Sequence, residues 1–219
     1  MNKRPDGYAR ARLALALLPM VVGLAGCGIN RGTAQTQLFD LGPAPAMTAA
    51  AAPAREPVSV SFSAAQMLMD TGVIWRVGDS ASPNSYASYR WAAPPLQLVQ
   101  QRVVDRLAAG GPVVLDGVDP SAPVLQVSLT RFEQVYAPDG RSSTGQVAMQ
   151  AVLVRNRHVV DSVRLARSAP APTQDAQGGV LALRDATDAA ANDLATWLAR
   201  HVPAAAAGRA AGLTLRSSP

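Results

Sequence analysis

The feature that most constrains this chain is an apolar run, Leu13 to Leu24, that leads through Ala25-Gly26 into the sole cysteine, Cys27. The run is about 12 residues long, whereas a membrane-spanning helix needs roughly 20. Lys3, Arg4, Arg10 and Arg12 precede it with Asp6 as their only acidic neighbour, and Pro19 weakens a continuous helix inside it. A basic head, a short apolar middle and small residues at the end make a secretion signal of residues 1–26. Removing it leaves 193 of the 219 residues, enough for one domain with tails. With the one cysteine at the new N-terminus, no disulfide can brace that domain, so its hydrophobic core must hold it.

The end of the signal, Leu24-Ala25-Gly26-Cys27, is similar to the lipobox of bacterial prolipoproteins. Small residues at 25 and 26 let a peptidase approach the backbone. The Cys27 thiol then carries a diacylglyceryl group and its freed amine a further acyl chain, and several chains anchor stably where one alone is marginal. Residue 28 is Gly rather than Asp, the familiar inner-membrane retention residue of enteric bacteria, so the expected location is the outer membrane, facing the periplasm. The signal holds four of the 20 basic and one of the 15 acidic residues, which lowers the formal charge from +5 to +2. No Lys or Arg run remains to mark a nucleic-acid footprint, and no nucleic-acid partner is expected.

Behind Cys27, residues 28–37 form a polar, Gly-containing tether, and Leu38 to Leu41 a short strand. Residues 42–57 are a Pro/Ala-rich loop. Thus 27–57 is the lipidated tether region, 58–202 the domain and 203–219 an Ala-rich tail. Apolar–polar alternation predicts strands over 58–62, 73–77, 86–90, 113–115, 124–135, 146–154 and 159–166. Phe132 breaks the alternation, the sign of a bulge. Residues 155–158 read as a hairpin turn and 168–177 as a loop. Leu96, Val99, Val103 and Leu107 recur at helical spacing behind Pro94-Pro95, and Gly110-Gly111 stops that helix. Leu183, Ala186, Ala190, Leu194 and Trp197 mark a second helix over 178–201. The expected fold is α/β, a mostly antiparallel sheet with two amphipathic helices packed on one face.

Chemistry-bearing residues are few. His158 and His201 are the only imidazoles and lack a metal-binding spacing, so neither a metal nor a cofactor is expected. His158 falls in a turn, and no Gly-x-Ser-x-Gly elbow accompanies the serines. Asp116 and Asp119 sit in one loop, where turn capping explains them better than catalysis. Gly110-Gly111 and Gly178-Gly179 lack the Lys of a phosphate-binding loop, since Lys3 is the only lysine. The chain reads as a non-enzyme. Trp75 and Trp197 lie in apolar patterns and are expected in the core. Arg90 and Trp91, at the helix entrance, are the candidate partner-binding residues, although a packed Trp and a bracing Arg are the simpler roles for them.

Taken in order, the lipobox, the strand at 38–41, the segment Met67-Leu68-Met69-Asp70 and the stretch Tyr89-Arg90-Trp91-Ala92-Ala93-Pro94-Pro95-Leu96 resemble the PqiC/YmbA-type auxiliary lipoproteins of ABC-type transport systems. The similarity runs from about Leu38 to Val202. It departs in the extra Pro95, the long loop 42–57 and the basic turn 155–158. The resemblance implies an outer-membrane accessory of an MCE-type lipid transporter. Its partners would be a periplasmic MCE-domain protein and the membrane components of that transporter, with self-association as a further expectation because such conduits are rings. The alternative is an envelope-assembly lipoprotein serving outer-membrane protein or lipopolysaccharide.

Overall fold

The computed structural model describes residues 35–46, 54–114 and 118–205. Cys27, the signal and most of the tail lie outside them. Eleven elements follow one another: β1 (Gln37–Phe39), β2 (Val58–Ala64), a 3-10 turn (Gln66–Met69), β3 (Gly72–Val77), β4 (Asn84–Trp91), α1 (Pro95–Ala108), β5 (Val113–Val114), β6 (Val124–Tyr136), β7 (Ser143–Arg155), β8 (His158–Pro170) and α2 (Ala176–His201).

All eight strands form one sheet built around β6. One side of β6 pairs antiparallel with β7, and β7 with β8. The other side is shared: β2 runs parallel to the first half of β6, and β3 parallel to its last residues. The sheet therefore splits into two lobes, β2–β5 and β3–β4–β1. The sheet is mixed rather than mostly antiparallel, because β1–β4, β2–β5, β2–β6 and β3–β6 are all parallel. Alternation reports which face a side chain takes and is silent on strand direction. Parallel neighbours need a long crossover, and the passage from β2 through β3, β4 and α1 to β5 provides one.

The meander matches its sequence signals. Asn156 and Arg157 both have positive φ, 52° and 65°, as a two-residue type I′ turn requires between twisted strands. The bulge foreshadowed by Phe132 sits between Leu129 and Arg131. Leu125, Val127 and Leu129 of β6 and Val147, Met149, Ala151 and Leu153 of β7 share one buried face. Strand β8 runs to Pro170, past the expected end at 166, because Ala169 and Pro170 still pair with β7.

Both helices cover that buried face and touch each other, α2 over β6–β7–β8 and α1 over β2–β5. The expected helix faces are the buried ones: Leu96, Val99, Val103 and Leu107 on α1, and Leu183, Ala186, Ala190, Leu194 and Trp197 on α2. Each large apolar side chain buried there contributes about 1.5–3 kcal/mol. Arg55 tightens the far end of α1, where its guanidinium donates to the carbonyls of Leu107 and Pro112 at 3.1 Å each. Residues 54–56 pair with 203–205 through Arg55 and Ala204, so folded structure extends beyond the 58–202 span on both sides. Arg102, also buried, donates to the carbonyls of Leu41, Gly42 and Pro43, fixing the segment after β1 to α1.

Asp175 caps α2: its carboxylate accepts from the Gly178 N–H and the Thr173 hydroxyl, both at 2.8 Å. These bonds, the Gly178 one foremost, hold its carboxyl below the usual range. Asp175→Ala is expected to cost about 1 kcal/mol at neutral pH. A depressed carboxylate stabilises fully above its unfolded pKa and loses that contribution as pH falls through the folded value. Urea denaturation of both proteins should therefore show the gap at pH 7 closing in acid; a gap that widens in acid contradicts the cap.

Candidate functional site

Among the described residues, the helices pack mainly on β2, β5, β6, β7 and β8, and the β3–β4–β1 lobe lies beside them. That lobe carries a continuous chain of aromatic rings. Phe39 stacks on Tyr89 at 5.6 Å, Tyr89 meets Tyr86 edge-on at 5.9 Å, Tyr86 lies 6.0 Å from Trp75, and Trp75 meets Tyr136 edge-on at 5.7 Å. All five rings are half-buried, and Val77 beside them is 41% exposed. Trp75, Val77, Tyr86, Tyr136, Ala137 and Pro138 line an open cavity of about 290 Å³ that contains no charged side chain.

A bulge in β4 creates this arrangement. Ile74 pairs with Ser85 and Gly72 with Arg90, so two steps along β3 oppose five along β4. The extra residues put Tyr86 and Tyr89, three apart, on one side of the sheet, where regular alternation would separate them. Arg90 closes the bulge: its Nη1 donates to the carbonyls of Tyr86 at 2.6 Å and Tyr89 at 2.8 Å.

Beneath the rings lies a buried polar network. The Tyr86 hydroxyl donates to Gln134 Oε1 at 2.8 Å and lies 2.6 Å from the Tyr136 hydroxyl. The Gln134 amide donates to Ser143 Oγ and to the Asp175 carbonyl. Burial, followed by the Tyr136 hydroxyl, pushes the Tyr86 phenol well above its ordinary pKa, so it stays neutral. Gln134 has no exposed surface, and Gly179 lies so close that an added Cβ would sit 2.1 Å from its Oε1. The network thus ties the start of α2 to the edge of the aromatic lobe.

The two partner-binding candidates, although adjacent, take opposite roles. Trp91 is 1% exposed and packs edge-on against Phe132 at 5.2 Å, inside the core. Arg90 is half-buried and engaged by its own strand's carbonyls. Trp197 is in the core as expected, whereas Trp75 belongs to the half-exposed ring chain. Met67 and Met69 are each 44% exposed on either side of the buried Leu68. Asp119 caps the Ser121 turn, and Asp116 lies outside the described residues. His158 is exposed at the start of β8, and His201 lies with Nε2 2.9 Å from Asp161 and Nδ1 2.9 Å from the Trp197 carbonyl. Among the described residues no cluster of His, Cys, Asp or Glu has the placement of a metal site, and no helix is long and apolar enough to cross a membrane.

A second cavity, about 310 Å³, lies between α1, α2 and residues 44–46. Desolvation raises the Asp188 carboxyl there, against the pull of Arg102 at 3.3 Å.

No family model matches the chain, and no curated protein does. Solved structures do. A Xanthomonas campestris protein of family DUF330 superposes with a TM-score of 0.60 at 19% identity, over 74% of this chain and 94% of its own. An uncharacterized protein gives 0.61 at 15%, over 75% and 99%. A minor lipoprotein from Acinetobacter baumannii gives only 0.39 at 13%, over 68% and 97%, too distant to bear on function. At these identities the likeness establishes architecture: the chain has the fold of the Xanthomonas DUF330 protein.

Proposed function

We infer that this chain is a non-enzymatic envelope lipoprotein, anchored through Cys27 in the outer membrane and facing the periplasm. There it serves as an auxiliary component of an MCE-type lipid transport system, docking the periplasmic conduit at the membrane. The observation that carries the reading is the lipobox Leu24-Ala25-Gly26-Cys27 placed just ahead of this particular fold. The anchored chain then has one chemical act of its own, acceptance of the lipid, and works by position.

The short stretch of chain between Cys27 and the fold supports that position. Ten residue steps separate Cys27 from Gln37, the first residue of β1, a reach that cannot exceed about 35 Å. The chain from Cys27 enters the fold at β1, on the edge of the β3–β4–β1 lobe.

The test is fractionation of envelopes carrying wild type and Cys27→Ser, with the mass of the mature wild-type N-terminus measured alongside. Wild type should carry diacylglyceryl and acyl mass on Cys27 and stay with outer membranes through repeated washing. The serine variant should fold and leave with the washes. A serine variant that survives washing as firmly as wild type contradicts the anchor. The gene should also lie beside permease, ATPase and MCE-domain genes; a locus holding only outer-membrane assembly genes favours the other envelope role.

A further inference from the structure

We propose that the aromatic face of the β3–β4–β1 lobe is a membrane-contact surface that rests on the headgroup region of the same bilayer that holds Cys27. The proposal builds on the reading of Cys27 as the anchor and adds a second, noncovalent contact that sets which way the domain faces.

Three observations converge on a lipid surface as the occupant. The first is composition. Trp75, Tyr86, Tyr89 and Tyr136 are aromatic side chains of the kind enriched where bilayer meets water, and the hydroxyls of Tyr86 and Tyr136 are already satisfied within the fold. The cavity between them has no charge to repel headgroups or to demand a specific counter-ion. The second is construction. The Arg90-closed bulge brings Tyr86 and Tyr89 to one side, and the Gln134 network holds Tyr86 and Tyr136 with hydroxyls paired, so the rings are preorganised. The third is the covalent path. The chain leading from Cys27 enters the fold at β1, and Phe39 of β1 is the first ring of the series. With at most about 35 Å of chain between lipid and lobe, the tether keeps this face at high effective concentration over the bilayer. An interaction too weak to hold a free protein is then sufficient to orient a tethered one.

The consequence is directional. With β1 at the membrane, the β7–β8 hairpin and the far ends of α1 and α2 lie on the other side of the domain, available to the periplasm.

The experiment uses the whole mature chain carrying Cys27→Ser, mixed with vesicles of phosphatidylethanolamine and phosphatidylglycerol, a fraction of the lipid being brominated near the headgroups. Among the three tryptophans, Trp91 and Trp197 are at most 4% exposed, so Trp75 is the reporter. The expected result is saturable fluorescence quenching, reversible on dilution and absent from Trp75→Phe. Val77→Asp, at an already exposed position, should keep the same melting curve and lower the vesicle partition coefficient about tenfold, the loss of one buried valine side chain. Three results overturn the proposal: no quenching at millimolar lipid, partition unaltered by Val77→Asp, or lipid-independent self-association that shields Trp75. The serine variant carries no acyl chain, so failure here leaves the anchor untouched. Lack of acyl mass on wild-type Cys27 would remove the anchor whatever the vesicles show.

Discussion

Trp91→Ala is expected to lower the unfolding free energy by about 3–5 kcal/mol, the usual cost of deleting a buried large aromatic side chain. The ring is 1% exposed, packs edge-on against Phe132 and sits where β4 hands over to α1. Its removal opens a cavity against Phe132, in the core that also holds Val73 and Leu68. Domains of this size are stable by only about 5–15 kcal/mol, so the variant should be marginal. Trp91→Phe, which keeps an apolar ring in place, should recover much of the loss. Urea titration at constant pH measures both. A surface Trp that contacts only a partner would behave differently, with alanine changing stability by no more than about 0.5 kcal/mol; that outcome would return Trp91 to the list of docking residues.

Gly145→Val should be at least as damaging. Gly145 lies on β7 directly under α2, where an added Cβ would fall 2.4 Å from the Leu183 nitrogen and 2.5 Å from the Ala182 carbonyl carbon. Both are helix backbone atoms and cannot rotate aside. Valine would have to lift α2 from β7, losing contact at Leu183 and Ala186 and straining the Gln134 network at the helix start. Overpacking of this kind costs several kcal/mol, here about 4 or more. Gln150→Val, which puts the same valine side chain on the opposite face of the same strand, should change stability by about 0.5 kcal/mol at most. Equal melting temperatures for the two variants would contradict the close approach of α2.

These two sites show what a sequence can and cannot disclose. The buried faces were legible because period 2 along β6 and β7 and period 3.6 along both helices leave a repeating apolar signal. The β7–β8 turn was legible from its local polar residues. Strand direction was not, because alternation is identical in parallel and antiparallel pairs; the parallel contacts of β2 and β3 with β6 depend on how distant segments return. Gly145 and Gly179 gave no local sign either, since Gly145 lies under α2 and Gly179, within α2, lies against the Gln134 side chain of β6. The aromatic lobe was missed for a related reason. Trp75 sits in an apolar run that suits a core strand, and nothing in that run tells that both helices pack mainly on other strands. Tyr86 and Tyr89, three apart, look like opposite faces of a strand until the β4 bulge realigns them. Arg90 had a legible part, bracing, but its acceptors are carbonyls within its own strand, which no charge pattern marks.

The functional account rests on the claim that the anchored, folded domain docks an MCE-type conduit. The direct measurement is affinity capture of the lipidated wild-type chain from detergent-solubilised envelopes, with Gly145→Val run in parallel as the version lacking a sound fold. The account predicts that an MCE-domain protein co-purifies with wild type, persists through detergent washing and is absent from the Gly145→Val eluate. Recovery of an outer-membrane assembly machine in its place, or equal recovery of the MCE-domain protein with both chains, would contradict it.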